Sequence, residues 1–252
     1  MVIRCLVPLS GGKDSQATLK LALERFHRNE ILGLFCDTQF EHPKTYAHVA
    51  WMAQFYRVKI ETICAGDVLE KSRKHKRFPG GGARHCTEEL KIVPTKKFCK
   101  ALAEQQGAGF EVYYGMRIQE SADRAKRYRF KVSEELYAPH EVMPSKYPKY
   151  LAKLGVMFRM AVLEWSTQEV VEYVGWDNLN PLYHDDFDRV GCFPCLAAGD
   201  KHKEKAFNYD DFGQLQLIRV RQVADEIAKT IFTSKGGRER NGEAPPCAVC
   251  AI

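Results

Sequence analysis

The sequence of 252 residues contains no long hydrophobic run. Its longest apolar stretches, such as residues 31–36, are far shorter than the roughly 18 to 20 residues that cross a bilayer. Residues 1–9 do not have the organisation of a cleavable signal, and no internal repeat or low-complexity segment is present. These absences exclude a helical membrane protein and lead us to expect a cytoplasmic protein without membrane contact.

Neither sign of charge dominates, since 38 Lys and Arg face 32 Asp and Glu for a net charge of +6. This excess favours anionic ligands but does not identify nucleic acid as a partner. A content of 45% hydrophobic residues with 14 Phe and 11 Tyr excludes a disordered or fibrous chain. Nine cysteines are too few for a disulfide scaffold of this length, so we expect reduced thiols that include ligands or nucleophiles.

The first half of the chain alternates short apolar runs with helical patterns. The pattern predicts strands at 3–9, 31–36, 58–64 and 111–115, and helices at 14–27, 43–56 and 94–106. Strands separated by helices imply right-handed crossovers. We therefore expect an α/β fold, a Rossmann-like parallel sheet with helices on both faces.

The strongest local motif is SGGKDS at residues 10–15, between the first predicted strand and the first predicted helix. Its glycines let the backbone turn sharply, and the start of the helix directs amide N–H groups at a bound anion. Pyrophosphate suits such a cradle, with Lys13 as a point charge. Alternatively, the motif has no ligand and is only a glycine turn that Asp14 or Ser15 caps. The predicted cofactor-binding residues of this loop are Ser10, Gly11, Gly12, Lys13, Asp14 and Ser15.

These six residues resemble the PP-loop of the ATP pyrophosphatases, which cleave ATP between the α and β phosphates to adenylate a substrate. Further motifs resemble the PAPS reductase family over roughly residues 5–200, and they are CDT at 36–38, HP at 42–43, GMR at 115–117, ES at 120–121, LEW at 163–165, NPLY at 180–183 and RVGC at 189–192. The resemblance implies that Asp37, Gly115 and Arg117 bind the nucleotide and that Arg117 and Arg124 contact an anionic substrate. With Lys13 and Asp14, these two arginines are the predicted catalytic residues.

Two cysteine motifs point to a metal or redox centre. The CxxC of Cys192 and Cys195 is compatible with zinc, an iron-sulfur cluster or a redox dithiol. Cys86 lies in RHCTEELK, which resembles an element of iron-sulfur members of the family, including the sulfur-transfer protein of DNA phosphorothioation. The resemblance implies that Cys86, Cys192 and Cys195 bind a [4Fe-4S] cluster. A buried Cys86 beside a zinc or redox CxxC is the alternative.

The fourth ligand of such a cluster stays open. Cluster-bearing reductases of the family have adjacent cysteines where this chain has His85 and Cys86, and the phosphorothioation proteins have a further cysteine soon after the CxxC. Here the next cysteine is Cys247. The candidates are therefore Cys247, Cys250, His85 or an exogenous ligand, and the two tail cysteines could alternatively form a mobile redox pair.

Two groups of basic residues stand out along the chain. The first, before the glycine loop at 79–82, comprises Lys71, Arg73, Lys74, Lys76 and Arg77. The second, after the fourth predicted strand and with Tyr128 and Phe130 interleaved, comprises Arg117, Arg124, Lys126, Arg127 and Arg129. Each is either a solvated face or an extension of a positive surface toward a polyanion.

The motifs divide the chain into three parts. Residues 1–165 form a predicted PP-loop nucleotide-binding α/β domain, residues 166–233 a smaller helical and loop region that carries the CxxC over the edge of the sheet, and residues 234–252 a flexible tail rich in glycine and proline. A homo-oligomer is compatible with this organisation.

The intact loop separates the candidate functions. The family's reductases have altered PP-loops and a C-terminal ECGLH nucleophile, whereas this chain has SGGKDS and no ECGLH. The resemblance therefore implies an enzyme that uses ATP and Mg²⁺ to adenylate a substrate for iron-sulfur-dependent sulfur transfer, with a nucleotide or nucleic-acid acceptor and a sulfur or electron donor as partners. A sulfonucleotide (PAPS or APS) reductase and a non-catalytic nucleotide- or nucleic-acid-binding module are the alternatives.

Overall fold

The computed structural model describes residues 2–80 and 84–232. In this part of the chain, five parallel strands form one sheet in the order β3-β2-β1-β4-β5. The strands are β1 Cys5–Leu9, β2 Ile31–Asp37, β3 Lys59–Cys64, β4 Glu111–Tyr113 and β5 Met157–Arg159. The predicted parallel α/β fold is confirmed.

Helices occupy most of the connections between strands. They are α1 Lys13–Arg25, α2 Pro43–Tyr56, α3 Val68–His75, α4 His85–Thr87, α5 Val93–Gln106, α6 Ala122–Tyr128, α7 Pro139–Val142, α8 Tyr150–Lys153, α9 Thr167–Val174, α10 Asp200–Phe207 and α11 Asp211–Ile227. The later helices form because Ser166 and Asp210 cap the starts of α9 and α11 with side-chain hydrogen bonds.

The central strands are apolar along their whole length because both faces of the sheet are covered. Every residue of β1 is buried, and so are all but the last residue of β2. On one face, Leu19 of α1 packs with Val7, and on the other Ala103 of α5 packs with Leu6. Helices therefore cover both faces, as the sequence predicts.

The strand order reverses at β1, which lies between β2 and β4. In open α/β sheets, ligands bind in the crevice at the carboxyl ends of the strands where the order reverses. Residues 10–15 follow β1 directly, so the fold places the SGGKDS loop at this crevice.

The residues around Cys86 belong to one continuous helical stretch from α4 to α5. A π-helical turn at Glu88–Ile92 joins the two, and Pro94 lies at the start of α5. Proline has no amide hydrogen and its ring crowds the carbonyl four residues earlier, so a widened turn accommodates it. This turn lies between Cys86 and the body of α5.

The segment after residue 166 packs on the carboxyl-end side of the sheet. Helix α9 contacts α1, whereas α11 contacts α3 and α10. Phe207 and Val220 share a buried cluster with Phe40 and Val68. An isolated antiparallel bridge joins Glu41 to Cys192, which brings the CxxC to the end of β2. The proposed boundary near residue 165 stays a prediction, and the predicted tail lies outside the described residues.

Candidate functional site

The loop at residues 10–15, called the PP-loop below, is held in a turn that requires glycine. Gly11 has φ of +73°, and a Cβ on it would lie 2.7 Å from the Thr45 methyl group. The Ser15 hydroxyl accepts a hydrogen bond from the Ser10 amide at 3.2 Å and donates to the Gly12 carbonyl at 2.9 Å. These bonds fix the loop in front of α1, whose first-turn amides have no partner within the helix.

Two residues far along the chain hold the PP-loop from outside. The Asn180 amide donates to the Gly11 carbonyl at 3.1 Å, and the Tyr183 hydroxyl accepts from the Lys13 backbone amide at 3.1 Å. Both residues are buried. Our reasoning from sequence did not assign them to the site, although they lie in the NPLY motif that carries part of the family resemblance.

Lys13 is buried at the start of α1, with 8% of the residue exposed. Its ammonium lies 3.9 Å from an Asp14 carboxylate oxygen and 5.1 Å from the centre of the Tyr183 ring. Burial lowers the pKa of Lys13, Asp14 opposes that shift, and the nearby Arg117 adds to it. A phosphate placed here would restore the missing negative charge and favour the charged lysine.

The carboxylate of Asp14 is bound by Arg117 rather than left open to a ligand. The Arg117 Nε donates to it at 2.6 Å, and its other guanidinium nitrogens donate to the Trp165 carbonyl and the Thr167 hydroxyl, each at 3.2 Å. Gly115 makes this approach feasible, because a Cβ there would lie 2.9 Å from the Asp14 backbone. Asp14 and Arg117 therefore join α1 to the end of β4, and their catalytic role stays a prediction.

Arg124 is almost fully buried, and it forms an ion pair with Glu120 one helical turn earlier. Burial lowers the pKa of Arg124 to about 10, with Tyr128 and Asp14 opposing the shift. Its predicted contact with an anionic substrate is not tested by these contacts.

Asp37 ends β2 at the same carboxyl edge of the sheet. Its carboxylate accepts from the Gln39 amide and from the Tyr46 hydroxyl, each at 2.7 Å. These bonds fix the carboxylate beside the crevice, and its contact with a nucleotide stays a prediction.

The three predicted metal ligands line one cavity, called the cysteine cavity below. Its wall is formed by Phe40, Val68, Pro79, Arg84, Cys86, Thr87, Lys91, Cys192, Cys195, Leu196 and Ala197. Within residues 2–80 and 84–232, no group of three His, Cys, Asp or Glu side chains has the arrangement of a formed metal site. The fold therefore brings the three thiols to one cavity but does not display a completed ligand set.

Buried charges accompany these thiols. Burial raises the pKa of Cys86 and of Cys192, so both are protonated thiols before a metal displaces the proton. Burial alone would lower the pKa of Lys91, but the neighbouring Cys192 and Glu41 raise it above its ordinary value. A charged Lys91 would offset thiolate charge, which fits a thiolate-bound metal centre. Sequence reasoning did not assign a role to Lys91, although it ends the RHCTEELK motif.

Glu41 is a second buried charge that sequence reasoning missed. Burial raises the pKa of its carboxyl group. The Thr38 hydroxyl donates to this carboxylate at 2.8 Å, and the Cys192 sulfur lies 3.8 Å from it. Glu41 thereby connects the end of β2 to the CxxC.

Of the three residues predicted as possible fourth ligands, His85 alone lies among the described residues. His85 does not line the cysteine cavity, and its ring stacks on His75 with a centroid distance of 4.4 Å. Neither ring nitrogen of His85 has a hydrogen-bond partner among the described residues. Cys247 and Cys250 lie outside those residues, so the identity of the fourth ligand stays open.

A short segment connects the PP-loop to the cysteine cavity. The Val190 carbonyl oxygen lies 3.3 Å from the place that a Cβ on Gly12 would take. Cys192 follows two residues later, which limits the Cα separation from Val190 to about 7 Å. Arg189 and Cys192 line a second cavity together with Lys91 and His202. The phosphate cradle and the thiols are thus adjacent parts of one site.

Three of the five cations in the first basic group pair with carboxylates. Lys71 and Lys74 pair with Glu89, and Arg73 pairs with Glu226. The predicted glycine loop that follows this group falls partly on residues 81–83, outside the described residues. No helix in the described ranges is both long and apolar enough to span a membrane.

Comparison with known families identifies the class of this fold and site. The model of the phosphoadenosine phosphosulfate reductase domain family matches residues 4–198. The match covers most of the chain and includes the PP-loop, Cys86 and the CxxC. The chain belongs to this family.

Three relatives that share sequence with this chain are named as uncharacterised proteins. One from Methanocaldococcus jannaschii is 29% identical over 204 residues, which cover 79% of this chain and 38% of the relative. A second from that organism is 25% identical and covers 75% of this chain and 40% of the relative. A nin region protein of Escherichia phage lambda is 24% identical, and the match covers 65% of this chain and 59% of the relative. The chain spans about two fifths of the length of the two Methanocaldococcus proteins.

Solved structures with a similar fold include two enzymes of sulfur chemistry. The phosphoadenylyl-sulfate reductase of Candida auris has a TM-score of 0.48 at 16% identity, with 75% of this chain and 81% of that chain covered. The U34-tRNA thiolase NcsA of Methanococcus maripaludis, with its [4Fe-4S] cluster, has a TM-score of 0.47 at 14% identity. The match covers 99% of this chain and 80% of that chain. Likeness at this level carries no functional inference.

Proposed function

We propose that this protein binds ATP at the PP-loop, cleaves it to AMP and pyrophosphate, and thereby adenylates an acceptor for sulfur transfer. The observation that carries the proposal is the adjacency of two chemistries: a glycine turn with a buried Lys13, and three thiols reached through residues 190–192. Membership of a family of sulfonucleotide enzymes supports the sulfur part of the proposal.

The chain's own residues would act mainly on the phosphates. The Lys13 ammonium and the first-turn amides of α1 other than that of Lys13 would bind the leaving pyrophosphate, where negative charge develops as the α phosphorus is attacked. Asp14 and Arg117 would hold the start of α1 against the segment that follows β4, which keeps Lys13 in position to bind the phosphates. Mg²⁺ would arrive with the phosphates of ATP and share their neutralisation.

The donor set at the cysteine cavity fits an iron-sulfur cluster in type. Cys86, Cys192 and Cys195 would hold it, and a bound cluster would supply a site for sulfur or electrons. Lys91 would offset the negative charge of these thiolates, since it is buried beside them. An ionised Glu41 would oppose it, because its carboxylate disfavours the Cys192 thiolate. The adenylated acceptor would then receive sulfur at the activated carbon or phosphorus as AMP leaves.

Lys13→Ala provides the first test of ATP use. We expect turnover of ATP to AMP and pyrophosphate to fall by about 10²-fold or more, because a charge that stabilises the developing phosphate charge is lost. Lys100→Ala is the matched control, since Lys100 lies on α5 with its side chain half exposed and its ammonium is 3.7 Å from the Glu104 carboxylate, away from the PP-loop. Equal production of pyrophosphate by the Lys13 variant and the control would remove the PP-loop from the mechanism.

Sulfonucleotide reduction is the second candidate, and the family match favours it directly. Its signature is sulfite released from PAPS or APS with a thiol reductant and without ATP. Sulfite formation at a rate exceeding pyrophosphate release from ATP would replace our proposal with this one.

A further inference from the structure

A surface segment with both basic and aromatic residues, which the proposed function does not use, lies at the end of α6. Residues 126–131, called the basic-aromatic segment below, have the sequence KRYRFK. Its six residues comprise four cations and two aromatic rings. The segment begins in the last turn of α6 and continues into a turn in which the Lys131 amide donates to the Tyr128 carbonyl at 2.9 Å.

The two aromatic residues of this segment have opposite environments. Tyr128 is 1% exposed, and its hydroxyl lies 3.7 Å from the Met116 sulfur. Phe130 is 82% exposed, and the Arg129 guanidinium lies 4.4 Å from the centre of its ring. Tyr128 therefore anchors the segment, while Phe130 presents an open aromatic surface with a cation beside it.

The segment differs from Lys71, Arg73 and Lys74 of the first basic group, which pair with carboxylates. Within residues 2–80 and 84–232, Lys126, Arg127 and Arg129 form no ion pair with a carboxylate. Of the nearby acids, Glu134 pairs with Arg25. Cations at the end of a helix do stabilise its dipole, but that use does not account for an exposed phenylalanine.

A buried contact connects the segment to the residues around the PP-loop. Met116, which contacts Tyr128, stands between Gly115 and Arg117, the two residues that approach Asp14. Phe130 follows Tyr128 by two residues, so their Cα atoms are at most about 7 Å apart. The segment is thus joined through Tyr128 and Met116 to the residues that approach Asp14 in the PP-loop.

We propose that the basic-aromatic segment binds single-stranded nucleic acid, with a base stacked on Phe130 and phosphates on Lys126, Arg127 and Arg129. Exposed rings that stack bases, combined with cations that follow the backbone, are the chemistry of sequence-tolerant single-strand recognition. This inference rests on the proposed function, because it names the class of acceptor brought to the PP-loop.

The test is fluorescence anisotropy of the full chain with labelled 20-nucleotide DNA and RNA strands, and with the DNA duplex. Phe130→Ala should weaken single-strand binding about 5- to 150-fold, and Phe130→Trp should restore it. Phe55→Ala is the matched control, because Phe55 is also exposed, at 53%, but stacks on Trp51 of its own helix. Its affinity should equal that of the wild type.

A second comparison locates the phosphates. Replacing Lys126 and Arg129 with Gln should lower the slope of log affinity against log salt by about 0.7 for each phosphate that the variant no longer binds. The same change at Lys76 and Arg77 should have a smaller effect. A larger decrease of the slope in the Lys76 and Arg77 variant would overturn the placement.

Three results would overturn the inference: no binding of either strand at low salt, equal affinity of the Phe130→Ala variant and the wild type, or binding of phosphatidylserine vesicles in place of the strands. Because anisotropy needs no ATP, these outcomes are independent of pyrophosphate release. Loss of strand binding with intact ATP cleavage would reject this inference alone, whereas strand binding that depends on Phe130 without ATP cleavage would reject the proposed function alone.

Discussion

The ion pair between Asp14 and Arg117 offers a quantitative test of how the PP-loop is positioned. The Arg117 Nε and the Asp14 carboxylate are 2.6 Å apart, and the two side chains are 4% and 15% exposed. Asp14→Ala leaves the buried guanidinium without its carboxylate, and breaking a buried pair in this way costs about 3 to 5 kcal/mol. At a urea dependence of about 2 kcal/mol per molar, the unfolding midpoint should fall by roughly 1.5 to 2.5 M.

The assay is a double-mutant cycle of Asp14→Ala and Arg117→Met, followed by circular dichroism in urea at pH 7. Because each single change removes the hydrogen-bonded partner of the other charge, the double variant should lose less free energy of unfolding than the two singles together, by about 1.5 to 3 kcal/mol. The matched control is the exposed pair of Arg25 and Glu134, whose side chains are 45% and 76% exposed. Its coupling should stay below about 1 kcal/mol. Additivity within about 0.5 kcal/mol at Asp14 and Arg117 would refute the reasoning.

Two further predictions concern the thiols and a buried histidine. Replacing Cys86, Cys192 or Cys195 with serine should in each case reduce the iron content of anaerobically purified protein. Cys64→Ser, which changes an exposed thiol, should leave the iron content unchanged. Full iron content in all three variants, or stoichiometric zinc in the wild type, would contradict the cluster. Burial lowers the pKa of His48 to about 4. As the pH falls below about 6.5, the imidazole therefore takes up a proton in the unfolded state but not in the folded state. This difference should lower the free energy of unfolding by about 2 to 3 kcal/mol between pH 6.5 and 4. His48→Gln should flatten that part of the urea stability curve, and an unchanged slope would contradict it.

The long periodic elements could be predicted because local pattern and tertiary burial agree in them. The helix predicted at 43–56 has the observed bounds of α2, and the strand predicted at 31–36 differs from β2 by one residue. β5 was not predicted, because three residues are too short to show a period and their pairing with β4 is a tertiary effect. Helix α5 was predicted to begin at Pro94, whereas the π turn continues the helical stretch back to His85.

The candidate site was predictable where a motif carries its own chemistry, as in residues 10–15. Asn180 and Tyr183 support the PP-loop from about 170 residues away, and sequence spacing gives no sign of such contacts. Lys91 and Glu41 resemble ordinary surface charges in the sequence, and only burial beside Cys192 distinguishes them. Sequence also could not separate the two basic groups, because the difference lies in distant carboxylate partners such as Glu226.

The most direct test of the central claim is the position at which ATP is cleaved. The full chain, prepared anaerobically, would be incubated with ATP labelled at the α phosphate and, separately, at the γ phosphate, with and without single-stranded nucleic acid. Cleavage between the α and β phosphates predicts labelled AMP, or an AMP adduct of the acceptor, from the first label and labelled pyrophosphate from the second. Labelled ADP and inorganic phosphate, or no cleavage with any strand, would contradict the account.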